Sequence, residues 1–186
     1  MIRSFVAIAL NTQARRAIDR VQSSLKAEVR SVRWVHPELF HLTLKFLGEI
    51  EDGWVVDASK AIDQVARNFS PFTLRVSGTG CYPPRGPVRV IWAGIEEDQG
   101  QLMNLVDAVE ASMEEAGFER ERRSFSAHIT MGRIRDDRSR GELRQKVEGA
   151  TLKPVDVEVN ELILMASNLS SSGPSYTPMS TLPLLG

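Results

Sequence analysis

The stretch FHLTLKFLGEI, residues 40–50, contains the pattern His-x-Thr followed by an apolar residue, and FSAHITMGRIR, residues 125–135, contains the same pattern again. The two histidines, His41 and His128, are separated by 87 positions. In both stretches polar and apolar residues alternate, which is typical of a strand with one buried face. The chain is therefore expected to contain two equivalent strands, each with an imidazole on its polar face.

Strict alternation assigns the side chains of each motif to two faces of the strand. In the first motif it predicts a polar face and an apolar face, made respectively of His41, Thr43 and Lys45, and of Leu42, Leu44 and Phe46. The second motif places His128 and Thr130 together in the same way. Each motif thus presents an imidazole beside a hydroxyl, with an apolar back suited to packing against helices.

The offset between the histidines also relates other parts of the chain, which indicates an internal repeat. A shift of 87 positions places Phe5 on Trp92 and the predicted helix at 12–28 on the predicted helix at 98–116. The order strand, helix and His-x-Thr strand therefore occurs twice in register. This predicts a single domain over residues 1–186, built of two interwoven, pseudo-symmetric lobes whose polar faces meet across a central cleft.

The remaining segments mix strands and helices without regular βαβ alternation, which favours an α+β fold with largely antiparallel sheets. Two further helices are predicted, from about Val55 and over 139–149. VDVEVNELILMAS, residues 155–167, is predicted to pair as one strand with YTPMSTLPLL, residues 176–185. SNLSSSGPS, residues 167–175, is predicted to form the tip of that hairpin.

Composition limits the classes of function that this chain can have. It carries 23 Lys and Arg against 24 Asp and Glu, a formal net charge of −1, which argues against a protein that coats nucleic acid and favours a local contact such as a strand end. Cys81 is the only cysteine, which fits a reducing compartment. The opening MIRSFVAIAL has no signal-peptide pattern and no apolar run is long enough to span a bilayer. A monomer in the cytoplasm, with no membrane partner, is expected.

The paired motifs point to phosphoryl chemistry. Two imidazoles on opposite sides of a reacting atom can serve as general base and general acid, since the unperturbed pKa of His is about 6.5. Two Thr hydroxyls and a nearby cation can bind the non-bridging oxygens of a phosphate. No cluster of carboxylates or cysteines suggests a metal site, so no metal and no cofactor is expected.

HLTLKFLGEI and AHITMGRI, together with RSFVAIAL and VRVIWAGI, resemble the 2H phosphoesterase superfamily, and most closely its RNA 2′,3′-cyclic phosphodiesterase branch, historically named 2′-5′ RNA ligase. The resemblance covers nearly the whole chain. It implies metal-independent opening of an RNA terminal 2′,3′-cyclic phosphate to a 2′-phosphate. The partners that it implies are RNA ends or nucleotides that carry the cyclic phosphate.

The resemblance also implies a role for each residue of the two motifs. His41 would protonate the departing 3′ oxygen, His128 would activate water, and Thr43 and Thr130 would bind the phosphate. Arg133 matches a family arginine associated with the substrate. By strict alternation, however, Arg133 points away from His128, so either a twist or bulge after Gly132 redirects it or its role is structural.

Two other activities stay open at this point. The same groups serve the reverse reaction, which ligates 2′,3′-cyclic phosphate ends to 5′-hydroxyl ends. The chain could also be an RNA-end-binding module whose histidines only hydrogen-bond phosphates. Phe5 and Trp92 are equally consistent with base stacking in the cleft and with core packing, while His36, before Pro37 in a turn, is expected to be exposed and structural.

Overall fold

A computed structural model describes residues 1–30, 32–96, 99–170 and 173–186. The strands are β1 (Ile2–Ala9), β2 (Arg33–Trp34), β3 (His41–Ile50), β4 (Phe72–Tyr82), β5 (Val90–Glu96), β6 (His128–Arg133), β7 (Val155–Val159), β8 (Glu161–Ser170) and β9 (Gly173–Pro183). The α-helices are α1 (Thr12–Glu28), α2 (Asp52–Ala66), α3 (Gln101–Glu115) and α4 (Glu142–Glu148). No helix in these parts of the chain is both long and apolar enough to cross a bilayer.

The strands form two sheets, with the orders β3-β1-β8-β9 and β2-β6-β5-β4-β7. Every strand pairing among the described residues is antiparallel. The predicted α+β class with largely antiparallel sheets is therefore confirmed, and each sheet contains one His-x-Thr strand, β3 in the first and β6 in the second. These two strands lie beside each other where the sheets meet.

Each sheet buries one face in its own hydrophobic core, and each core includes a helix that follows a strand of the other sheet. The core of the first sheet includes Leu105 and Val109 of α3, which follows β5. The core of the second sheet includes Ile18 and Val21 of α1, which follows β1. The two repeats thus exchange their first helices, which joins the lobes through both cores.

Local sequence explains how α1 begins and which face it buries. The side chain of Asn11 accepts a hydrogen bond from the backbone N–H of Ala14 at 2.8 Å, which is an N-cap. Ile18, Val21 and Leu25 follow at helical spacing and are buried. The predicted bounds of this helix agree with the structure.

The end of the chain differs from the prediction. Residues 155–167 do not form one strand, because Asn160 separates β7 from β8 and the two belong to different sheets. Only β8 pairs with β9, while β7 adds to the edge of β4. The hairpin is confirmed by the pairing of Ser170 with Gly173. Its predicted tip at 167–175 is too long, because residues 167–170 belong to β8 and residues 173–175 belong to β9, and residues 171–172 lie outside the described residues.

Both His-x-Thr strands contain a β-bulge at the same position of the motif. In β3, Thr43 pairs with Ala7 and Lys45 pairs with Val6, which leaves Leu44 as the extra residue. In β6, Thr130 pairs with Trp92 and Gly132 pairs with Ile91, which leaves Met131 as the extra residue. Leu44 and Met131 are 87 positions apart. The repeat therefore extends to this irregularity, which reverses the alternation of side chains beyond it.

Candidate active site

His41 and His128 are held in the same way by the backbone just before each motif. The Nδ1 atom of His41 lies 2.7 Å from the carbonyl oxygen of Leu39, and Nδ1 of His128 lies 2.8 Å from that of Ser126. A carbonyl only accepts hydrogen bonds, so each Nδ1 carries the proton and donates it. In the neutral imidazole the lone pair is then on Nε2, which leaves that atom available to a substrate.

Each histidine is in contact with at least one aromatic ring. Phe5 stacks on His41 with ring centroids 4.8 Å apart, and Tyr176 meets the same imidazole edge-on at 5.1 Å. On the other strand, Tyr82 meets His128 edge-on at 5.1 Å. Neither tyrosine belongs to a motif that the sequence analysis singled out, since both approach from other strands, β9 and β4.

Phe5 and Trp92 lie in different environments, although the sequence was equally consistent with base stacking and with core packing for both. Phe5 is 3% exposed, so its ring packs beneath His41 and offers no surface to a base. Trp92 is half-buried and lies over Gly80, where no side chain intervenes. Its Nε1 is buried without a hydrogen-bond partner among the described residues.

Thr43 and Thr130 lie on the same face as the histidines, as the alternation predicts. Both are half-buried, and neither hydroxyl is hydrogen-bonded to another described residue. Thr43 is opposite Ala7 of β1, and Thr130 is opposite Trp92 of β5. Each hydroxyl is therefore available as a hydrogen-bond donor beside an imidazole. We refer to the face that carries the two histidines and the two threonines as the cleft.

The bulge in β3 overturns the predicted positions of Lys45 and Phe46. Lys45 does not share the face of His41, because it lies in the interior with only 2% of its side chain exposed. Phe46 is not part of the core: it is 63% exposed and its ring centroid lies 6.1 Å from that of Phe5 on the cleft side. The extra residue Leu44 exchanges the two faces, and alternation alone could not predict this.

The matching bulge in β6 decides on which face Arg133 lies, which the sequence analysis left open. Because Met131 is the extra residue, Gly132 faces the interior and Arg133 returns to the cleft. The positive charge of Arg133 acts on both His41 and Tyr176 of the opposite lobe. Phe46 and Arg133 are thus equivalent by the repeat, one aromatic and one cationic.

Buried polar groups support each bulge from behind. In the first lobe, Lys45 Nζ lies 2.6 Å from Glu110 Oε2 and donates to the carbonyl of Glu119 at 2.9 Å. The same Glu110 oxygen accepts from the backbone N–H of Glu121 at 3.1 Å. These contacts join α3, the segment before the second motif, and the bulge of β3.

In the second lobe the side-chain amide of Gln22 supports the bulge of β6. Its Nε2 donates to the carbonyl oxygens of Val35 at 2.7 Å and of Met131 at 2.9 Å. Gln22 is fully buried in α1. The bulge residue of β6 is thereby attached to a helix and to the segment before the first motif. Nothing in the sequence pattern identified Gln22, because a glutamine on an amphipathic helix usually faces solvent.

The electrostatic environment of His41 disfavours its charged form. Burial lowers the pKa of His41 below its ordinary value, a hydrogen bond to the carbonyl of Leu39 opposes this, and the charge of Arg133 lowers it further. Burial raises the pKa of Tyr176, against the effect of Arg133 and Arg3. Two guanidinium groups therefore act on this side of the cleft, which suits it to an anion.

His36 behaves as predicted, since it is exposed and its Nδ1 accepts from the N–H of Glu38 at 3.3 Å, at the start of a short 3-10 turn. Across the described ranges, no three side chains of the His, Cys, Asp or Glu type are grouped as metal ligands. The reactive groups that line the cleft are imidazole, hydroxyl, phenol and guanidinium.

Comparisons with known proteins agree with this geometry. The model of the family described as LigT like Phosphoesterase matches the chain twice, at residues 8–92 and 94–176. A protein of Methanothermobacter thermautotrophicus named RNA 2′,3′-cyclic phosphodiesterase is 30% identical over 179 residues, which cover 96% of each chain. A crystal structure of a Thermus thermophilus protein superposes with a TM-score of 0.80 at 29% identity, over 100% of this chain and 99% of that one.

The crystal structure of Escherichia coli LigT complexed with 3′-AMP is also similar. It superposes with a TM-score of 0.74 at 26% identity and covers 100% of this chain and 99% of that chain. The two family matches fall on the two halves of the repeat, each of which contains one His-x-Thr strand.

Proposed function

The chain belongs to the LigT-like phosphoesterase family of the 2H superfamily, and from this premise we propose that it hydrolyses RNA ends that carry a 2′,3′-cyclic phosphate to 2′-phosphate ends. Relatives that are 28–31% identical to this chain carry the name RNA 2′,3′-cyclic phosphodiesterase. The observation that carries the proposal is the matched pair of imidazoles, each with Nδ1 bonded to the backbone. Two such groups can work as acid and base without a metal.

The proposed reaction is an in-line displacement at phosphorus. His128, neutral at Nε2, removes a proton from water while the water oxygen forms a bond to phosphorus. The bond from phosphorus to O3′ breaks, and His41, protonated at Nε2, gives its proton to that oxygen. The product has a 2′-phosphate and a 3′-hydroxyl, and each imidazole has exchanged its protonation state with the other.

The side chains next to the histidines would hold the phosphate. The hydroxyls of Thr43 and Thr130 can each donate a hydrogen bond to a non-bridging oxygen. Arg133, whose charge already acts on His41, can stabilise the negative charge that develops in the transition state. A bound phosphate anion would in turn raise the pKa of His41 and favour the protonated form that the acid requires.

The asymmetry between Phe46 and Arg133 supports this assignment of acid and base. In an in-line displacement the leaving oxygen and the attacking water lie on opposite sides of phosphorus. The leaving O3′ belongs to the nucleoside, and an exposed aromatic ring that can stack a base lies in the lobe of His41. The nucleoside is therefore placed on the side of His41, and water on the side of His128.

The test is an assay of a 2′,3′-cyclic mononucleotide in the presence of EDTA. Hydrolysis to the 2′-phosphate is expected, and His41→Ala and His128→Ala should each lower kcat by about 10²–10⁴, the usual contribution of a general acid or base. Circular dichroism should report unchanged secondary structure for both variants. A 3′-phosphate product, complete loss of activity with EDTA, or near-native activity of either variant would contradict the proposal.

A further inference from the structure

A groove outside the cleft begins at the ring of Phe46. It has a volume of about 390 Å³ and is lined by Lys45, Phe46, Leu47, Phe118 and the segment 119–123. Its apolar lining consists of Phe46, Leu47 and Phe118, which we call its floor, and the charged segment 119–123, with the sequence ERERR, is its wall. Phe46 lines this groove and also lies on the side of the cleft, beside Phe5, so its ring borders both.

The wall of the groove is attached to the protein interior. Lys45 and Glu110, which support the bulge of β3, also bind the backbone of residues 119 and 121. The carboxylate of Glu121 accepts hydrogen bonds from the N–H groups of Arg122 and Arg123 at 2.9 and 3.1 Å. The segment therefore has a defined backbone, from which the arginine side chains extend into solvent.

The charges on this wall are available to a ligand. Arg122 is paired with Glu119 at 3.2 Å, but both side chains are at least 80% exposed. An exposed ion pair contributes little, so a phosphate can replace the carboxylate at small cost. Arg123 is exposed, and its guanidinium forms no ion pair with another described residue. Two adjacent guanidinium groups therefore lie beside an apolar floor and an exposed aromatic ring.

We propose that this groove binds the nucleotides on the 5′ side of the terminal one, so that the preferred substrate is an RNA strand rather than a mononucleotide. The inference rests on the proposed function, which places the terminal nucleoside at Phe46. From there the strand must leave the cleft, and the groove continues from the same ring. Its phosphates would contact Arg122 and Arg123, and a second base would pack on the apolar floor.

The experiment compares two substrates with the same terminal nucleotide, a 2′,3′-cyclic mononucleotide and a tetranucleotide ending in the 2′,3′-cyclic phosphate. The wild-type protein should have the higher kcat/KM with the tetranucleotide. Arg122→Ala and Arg123→Ala should each lower kcat/KM about fivefold for the tetranucleotide and leave the mononucleotide unchanged. Each substitution should also reduce the slope of log kcat/KM against log salt by about 0.7 for the tetranucleotide.

Arg138→Ala is the matched control. Like Arg122, Arg138 is 88% exposed and belongs to an exposed ion pair, with Asp136, but it does not line this groove. Arg138→Ala should leave kcat/KM unchanged for both substrates. Two results would overturn the proposal that this groove binds RNA while leaving the proposed function intact. They are an equal kcat/KM of the wild-type protein for both substrates, and equal losses of kcat/KM on both substrates in the arginine variants. Failure of the wild-type protein to hydrolyse either substrate would instead refute the proposed function.

Discussion

Lys45 Nζ lies 2.6 Å from Glu110 Oε2 in the interior of the first lobe, where the two side chains are 2% and 10% exposed. Lys45→Met should lower the free energy of unfolding by about 3–5 kcal/mol, because it leaves the carboxylate of Glu110 buried without its cation. Chemical denaturation measures this change. The double variant Lys45→Met/Glu110→Leu should recover part of the loss, since no unpaired charge then remains.

An exposed pair of the same charge type provides the control. Asp63 in α2 and Arg67, the residue after its end, are 2.7 Å apart at i and i+4, and their side chains are 35% and 62% exposed. Arg67→Met should lower the free energy of unfolding by less than about 1 kcal/mol. If Lys45→Met is as mild as Arg67→Met, the buried pair does not support the bulge of β3 in the way that its geometry suggests.

Gly80 is expected to be sensitive to a single added methyl group. A Cβ at this position would overlap the ring of Trp92, whose centroid is 5.3 Å from that of Tyr82. Gly80→Ala should therefore lower the free energy of unfolding by about 1–3 kcal/mol. It should also lower kcat by about 10- to 100-fold, because Tyr82 contacts His128 and small displacements of catalytic groups are costly.

Gly53→Ala is the control for the previous substitution. Gly53 lies in α2, and nothing is within 4 Å of an added Cβ. This variant should have unchanged kcat and a free energy of unfolding that is higher by up to about 1 kcal/mol, the helix preference of Ala over Gly. Similar kinetics for the two variants would show that Trp92 does not transmit a displacement to the histidine.

The parts of this fold that the sequence predicted are those that depend on local periodicity. The amphipathic stripe of α1 and the two His-x-Thr strands follow from residues near each other in the chain, and the offset of 87 positions follows from comparing two such local patterns. The exchange of helices between the lobes did not follow, because an apolar stripe does not specify which sheet covers it. The division of residues 155–167 at Asn160 was missed for a similar reason, since apolar residues continue on both sides of it.

The β-bulges explain where the predicted site was incomplete. Leu44 and Met131 are apolar at positions where alternation already expects an apolar residue, so the sequence shows no sign of an insertion. The bulge is decided by pairing with β1 and β5, which lie far away in the chain. Its consequence is that Phe46 and Arg133, rather than Lys45, enter the cleft. Alternation therefore predicted the correct face for the motif residues before the bulge and the wrong face for Lys45 and Phe46, while for Arg133 the sequence had left a bulge and a structural role open.

The pKa of His41 provides a prediction with a definite sign. Burial and the charge of Arg133 both lower it relative to the ordinary value of 6.5, so NMR titration of the free protein should give a pKa below 6.5 for this imidazole. Arg133→Met removes a repulsive cation and should raise the pKa of His41. Added inorganic phosphate should also raise it, because an anion favours the imidazolium form.

Arg3→Met is the control for this titration. Arg3 affects the pKa of Tyr176, but its charge is not among the causes that shift His41. Its loss should leave the titration of His41 unchanged. A fall or no change in the pKa of His41 in Arg133→Met would mean that the guanidinium does not face this histidine in solution.

The last prediction distinguishes the general acid from the general base by replacing the leaving group with one that needs no proton. The 3′ oxygen of ribose is a poor leaving group and needs a proton, whereas p-nitrophenolate leaves without one. A p-nitrophenyl ester of a nucleoside phosphate should therefore restore His41→Ala to within about tenfold of the wild-type rate, because general acid catalysis is no longer required. His128→Ala should stay about 10²–10⁴ slower with the same ester, because water still needs a base.

The matched hydrogen bonds from Nδ1 to the backbone orient both imidazoles in the same way, so that each presents Nε2 to the substrate. Absorbance of released p-nitrophenolate, measured under single-turnover conditions, reports the displacement itself. Rescue of His128→Ala alone would reverse the two roles and would move the nucleoside away from the side of Phe46. Equal rescue of both variants would show that neither histidine acts chiefly on the leaving oxygen, and the assignment of His41 as the acid would then be wrong.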